Sequence, residues 1–117
     1  MRNRMKVFKR RLYLAQTSDN INVLGKLSRI RDWRIAYWVA YNKNTSSGIL
    51  DRLSRRKNKY IKLLVLSHKN VPIRALRRLK EDSDPFVGGQ AIERLYTKLS
   101  ADEVYSCIVQ ESVSHVV

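Results

Sequence analysis

The strongest constraint on how this chain folds is that it matches itself when shifted by 26 residues. Leu24, Leu50 and Leu76 fall into one column at that spacing, and Leu27, Leu53 and Leu79 into another, with no gap. Phe8, Arg34, Tyr60 and Phe86 share a column that is aromatic at three of its four positions. Leu12, Trp38 and Leu64 align upstream of the leucine pairs, followed by Tyr13, Val39, Val65 and Ala91, and then by Leu14, Ala40, Leu66 and Ile92. The register defines three complete units, at about 7–32, 33–58 and 59–84, and a divergent fourth over about 85–112. A chain repeating at this length is expected to be a single domain, residues 1–117, whose units bury their apolar faces against one another.

Each unit reads as two short helices. In the second unit Ile35, Trp38, Val39 and Asn42 recur at i, i+3, i+4 and i+7, a helical face, and a turn is expected at Lys43 and Asn44. Thr45 is placed to cap a second helix bearing Ile49, Leu50 and Leu53; Asp19 is the parallel cap in the first unit, and Val71 followed by Pro72 a poorer one in the third. Pro85 starts a helix that passes Gly88 and Gly89 and runs towards Lys98, and Ser100 with Glu103 forms a capping box for a last helix to about Glu111, before a tail at 113–117. Helices this short need their neighbours for stability. The fold class expected is therefore all-α, an α-solenoid of about four two-helix repeats.

Charge is distributed as unevenly as the repeat is regular. The net charge is +14, and residues 1–80 carry 22 of the 24 lysines and arginines against only Asp19, Asp32 and Asp51. Such a one-sided field attracts polyanions. No run of 18 apolar residues exists, so no membrane insertion is expected, and the N-terminus lacks the apolar core of a signal peptide, which points to a cytoplasmic protein. Cys107 is the single cysteine and reads as a buried thiol.

The segment WRIAYWVAYNKNTSSGILDRLSRRKN resembles the pattern V-R-x-x-V-A-x-N-P-x-T-P-x-x-x-L-x-x-L-x-x-D-x-D of the leucine-rich-repeat variant, a HEAT-like helical repeat. Ile35, Val39, Ala40, Asn42, Asn44, Thr45, Leu50 and Leu53 match it, as do Ile61, Lys62, Val65, Asn70, Pro72, Leu76, Leu79 and the EDSDPFV linker at 81–87. The resemblance, over about residues 6–95, implies a right-handed stack of short helices and an interaction scaffold, without fixing an activity. The chain departs from the pattern in its linkers: an acidic pair survives at 81–84, whereas RIRD stands at 29–32 and RRKN at 55–58.

In a stack of repeats, residues one period apart lie side by side at roughly the 8 to 10 Å of packed helices. Lys26, Arg52 and Arg78 then form one basic column, Arg29 and Arg55 a second, Arg31 and Lys57 a third, and Lys43 and Lys69 a fourth. With Arg56, Lys59, Arg10 and Arg11 they are the candidate phosphate contacts. The basic N-terminal segment 1–11 reads either as a helix start or as an arm that folds on a polyanion. Trp33, Tyr37 and Tyr41 recur at i, i+4 and i+8; core packing against a neighbouring helix is expected of them, with stacking on exposed bases as the alternative. His68 reads as a turn hydrogen bond, and the NTS at 44–46 as a chance glycosylation sequon.

These features point to a nonenzymatic nucleic-acid-binding module with no cofactor or metal, favouring DNA over RNA and duplex DNA through its backbone. The alternatives are a scaffold for an acidic protein and, less favoured, an enzyme similar to HEAT-like alkylpurine DNA glycosylases, for which Asp32 beside Trp33 and Trp38 is a weak echo in a chain of about half the length.

Overall fold

The computed structural model describes residues 2–99, and within them every regular element is a helix. The order is α1 (Arg2–Thr17), α2 (Ile21–Ser28), α3 (Trp33–Tyr41), α4 (Ser47–Leu53), α5 (Lys59–Ser67), α6 (Ile73–Leu79) and α7 (Pro85–Lys98). Ser100, Glu103, Cys107, the expected last helix and the tail lie outside the described residues. No helix among the described residues is long and apolar enough to cross a membrane.

Helix starts follow from local chemistry. Asp32, Asn58 and Asp84 cap α3, α5 and α7, each side chain accepting from backbone N–H groups of the first turn. Asn20 and Ser46 do the same for α2 and α4, while Pro72 stands at the start of α6 with no side-chain bond. The second-helix caps thus fall one residue later than Asp19, Thr45 and Val71. For two of the three the reason lies in the core: Thr45 and Val71 are fully buried, and the Thr45 hydroxyl donates to the Val39 carbonyl at 2.6 Å instead of turning to the helix start. Helix α7 runs through both Gly88 and Gly89. At Gly88 the missing side chain permits a close approach, since a Cβ there would stand 3.1 Å from the Lys80 carbonyl oxygen.

The odd-numbered helices pack in series, α1 on α3, α3 on α5 and α5 on α7; α2, α4 and α6 pack in series beside them. Between the rows lie Leu24, Leu50 and Leu76, all fully buried, with Leu27, Leu53 and Leu79. The odd helices contribute Ile35, Ile61 and Val87, then Val39, Val65 and Ala91, each set again spaced by 26 residues and each member buried. Burial of this kind is worth about 1.5 to 3 kcal/mol per large aliphatic side chain, which is what holds helices of seven to nine residues in place. The molecule is long and thin, with principal extents of 61 × 25 × 16 Å.

Candidate nucleic-acid interface

Because the helices alternate in direction, their connections gather at two edges. The linker edge holds the segments from α2 to α3, α4 to α5 and α6 to α7; the turn edge holds those from α3 to α4 and α5 to α6. Most of the predicted basic residues fall on the linker edge, whereas Lys43 and Lys69 belong to the turn edge and Arg10 and Arg11 to the exposed side of α1. The N-terminal basic segment, from Arg2 on, is helical, the first of its two readings.

The column Lys26, Arg52 and Arg78 divides. Arg52 turns back onto the preceding turn of chain, its Nη1 donating to Ser28 Oγ at 2.9 Å and the Gly25 carbonyl at 3.3 Å. Arg78 repeats the bond one period on, donating to Ser54 Oγ at 2.7 Å and to Asp51 Oδ1 at 3.0 Å. Only Lys26 of the three is left exposed without a partner among the described residues. Arg56 is inward-turned as well: its Nη2 donates to the carbonyls of Ile30 and Ser28 at 2.6 and 2.8 Å, closing the C-terminal end of α2. An arginine so engaged offers a phosphate less than its charge suggests.

Asp51 organises this edge. It is 9 % exposed, and its carboxylate meets Arg78 at 3.0 Å, Arg74 at 3.3 Å and Arg55 at 3.9 Å. Further along, Lys62 holds Asp82 at 2.6 Å and Lys59 holds Asp84 at 3.2 Å, with its ammonium 5.6 Å from the centre of the Phe86 ring. The Lys62 bond, followed by the backbone N–H of Asp84, holds the Asp82 carboxyl below the usual carboxylate range. Asp84 is lowered too, chiefly by the Phe86 N–H, and Asp32 by a two-pronged bond from Arg34. The cations left outward on this edge include Lys26, Arg29, Arg31 and Lys57, exposed and without a partner among the described residues, with Arg55 loosely tied to Asp51.

The turn edge is joined differently. Asn42 Nδ2 donates to the carbonyls of Ala15 and Ser18 at 3.0 and 2.9 Å. One period later His68 Nε2 donates to the Asn42 carbonyl at 2.8 Å while its Nδ1 accepts from the Asn70 N–H at 3.0 Å, the turn hydrogen bond expected, which fixes the tautomer. One period later again Arg94 donates to the carbonyls of Leu66 and His68. Lys98 Nζ reaches the Val71 carbonyl at 2.7 Å, and burial, then the neighbouring Arg94 charge, pushes its pKa down. Lys43 and Lys69 remain exposed.

The third surface is the outer side of the odd helices, and here core packing fails as an expectation for two of three aromatics. Trp33 is 50 % and Tyr41 63 % exposed, while Tyr37 is half-buried. The position one period from Trp33 is Lys59 and that from Tyr41 is Ser67, so no second helix presents a matching ring to pack against. Trp33, Tyr37, Trp38 and Tyr41 form an unbroken row of edge-to-face contacts with centres 6.2, 5.4 and 5.4 Å apart. A groove of about 540 Å³ lies beside them, bounded by Phe8, Leu12 and Tyr60. Arg34 lies 4.2 Å over the Phe8 ring.

Among the described residues no group of three or more His, Cys, Asp and Glu side chains is arranged to hold a metal ion. Comparison of the chain with protein-family models, with curated proteins and with solved structures finds no match.

Proposed function

We propose that this chain is a nonenzymatic nucleic-acid-binding module built as a right-handed stack of HEAT-like two-helix units, and that it binds duplex DNA through phosphates met by its linker edge. The stack reading is supported by caps at 20, 46 and 72 and at 32, 58 and 84, and by side-chain bonds such as Arg52 to Gly25 and Arg78 to Asp51 that join residues about one period apart. The observation that carries the binding reading is the run of outward cations Lys26, Arg29, Arg31 and Lys57. The carboxylates beside them, Asp32 and Asp51, are already held by arginines, so the positive field is not cancelled locally. Both oxygens of Asp32 are engaged by Arg34, which favours a structural role for it over a catalytic one.

The basic ladder needs revision accordingly. Arg52, Arg56 and Arg78 hold neighbouring units together, and reversing Arg52 and Arg78 with Lys26 would confound binding with stability. The informative variant changes Lys26, Arg29, Arg31 and Lys57 to Glu, measured by duplex binding across a salt series. The parent is expected to lose affinity with a log–log slope of about −4, and the variant to lose duplex binding while its circular dichroism is unchanged. Undiminished binding by the variant sinks the reading. A nuclease-resistant association with an acidic protein, with no shift of DNA or RNA, supports the acidic-partner scaffold instead.

A further inference from the structure

The aromatic row of α3 belongs to neither edge, and packing alone does not account for it. At the corresponding positions of α5 stand Lys59, Leu63, Leu64 and Ser67, so the repeat tolerates ordinary residues where α3 has two tryptophans and two tyrosines. Their exposure follows a pattern as well: Trp38 and Tyr37 are partly buried and fix the row, while Trp33 and Tyr41 stand half or more in solvent at its ends. With a rise of about 1.5 Å per residue, the eight steps from Trp33 to Tyr41 span roughly 12 Å, enough for more than one planar group.

Cations flank both ends. Tyr41 shares a hollow of about 200 Å³ with Lys43 and Lys69, whose side chains are exposed. Arg34 adjoins Trp33 at the other end, in the wall of the larger groove, with its charge already paired to Asp32 at 2.7 Å. Among the described residues no carboxylate lines either recess, and Asp32 stands behind the larger one, paired with Arg34. Planar rings with exposed lysines at the Tyr41 end suit a ligand that joins flat apolar faces to anionic groups. A duplex hides its base faces in the stack, and an acidic peptide has no such planes at regular spacing; an unpaired strand has both.

We propose that the outer face of α3 is a binding site for single-stranded DNA, with bases stacked on Trp33 and Tyr41 and phosphates met by Lys43 and Lys69. This rests on the nucleic-acid reading above but uses different residues from the duplex-binding edge, so the two sites fail independently. Trp33 and Trp38 are the protein's only tryptophans, so its tryptophan emission reports on this face alone.

The test is a fluorescence titration of the full chain with an oligothymidylate of about a dozen nucleotides, beside an oligouridylate of equal length and a duplex. Oligothymidylate is expected to quench the emission saturably. Tyr41→Ala is expected to weaken that binding about tenfold and Tyr41→Phe to leave it near the parent value, with duplex affinity unchanged in both; Tyr41 is exposed, and circular dichroism verifies that each variant folds. Binding of oligothymidylate without quenching, or equal affinity for parent and Tyr41→Ala, overturns the site, and tighter binding of oligouridylate overturns the choice of DNA. Loss of duplex binding in the quadruple Glu variant, with oligothymidylate quenching retained, supports the separation of the two sites.

Discussion

On the linker edge neighbouring helices are joined by guanidinium groups: Arg52 on Ser28, Arg56 on the carbonyls ending α2, and Arg78 on Ser54 and Asp51. On the turn edge the same joints, between α1 and α5, are an amide and an imidazole, Asn42 and His68, which carry no formal charge in these bonds. Both solutions satisfy buried carbonyls, and no buried side-chain nitrogen or oxygen among the described residues lacks a partner. The difference is that a charged joint needs a counter-charge when it is shielded from water, which Asp51 supplies to Arg78, whereas a neutral joint needs none. Hence on the linker edge a structural cation and an outward one can be neighbours in sequence, as Arg56 and Lys57 are, and look alike in composition.

The largest expected effect breaks the charged joint at its centre. Asp51→Ala leaves Arg55, Arg74 and Arg78, themselves 36 to 66 % exposed, without their carboxylate and should cost about 2.5 kcal/mol, chiefly through the Arg78 bond, read as a lower denaturant midpoint with an unchanged slope. Asn42→Ala breaks the neutral joint by taking the donor from two carbonyls, and should cost about 2 kcal/mol. Raising salt should narrow the gap between parent and Asp51→Ala while leaving that for Asn42→Ala in place; equal salt responses would mean the two edges do not differ as described.

A pH series sharpens the same contrast. The folded state lowers the Asp82 pKa through Lys62, so the stability this pair contributes is complete above the unfolded-state value of about 3.9 and is lost as pH falls through the lower folded value. Asp82→Asn should therefore flatten the acid limb of the stability curve, and an unaltered limb would remove this pair from the account. The smallest stability effect belongs to the outward set: Lys26→Gln with Lys57→Gln should change unfolding free energy by less than about 0.5 kcal/mol, while reducing the salt slope of duplex binding by about two.

The helices and the buried columns were legible because leucines at 24, 50 and 76 and at 27, 53 and 79 keep one register whatever surrounds them. The cap of α4 was displaced by one residue because side-chain oxygens at two adjacent positions are equally good acceptors on paper, and only burial decides that Thr45 faces inward while Ser46 caps. The direction of each arginine was not read, although a signal was present. Ser28 and Ser54 share a column, and an arginine follows each by 24 residues, as Arg52 and Arg78. A serine column paired with an arginine column marks a joint between units. Arg94 was missed for a related reason, since it stands in the column of Asn42 and His68 and does their work with a different side chain. The exposure of Trp33 and Tyr41 depends on what α5 offers in return, which a one-helix periodicity does not weigh.

One property of these joints reaches beyond equilibrium stability. In the bonds made by Asn42, Arg52, Arg56, His68, Asn70, Arg78, Arg94 and Lys98 to residues about one period away, the donor always lies later in the chain than the acceptor. Synthesis proceeds in the same direction, so each new stretch leaving the ribosome finds its acceptors already displayed by the stretch before it. The chain can assemble as it is made, with Lys59 and Lys62 the exceptions that wait for Asp84 and Asp82.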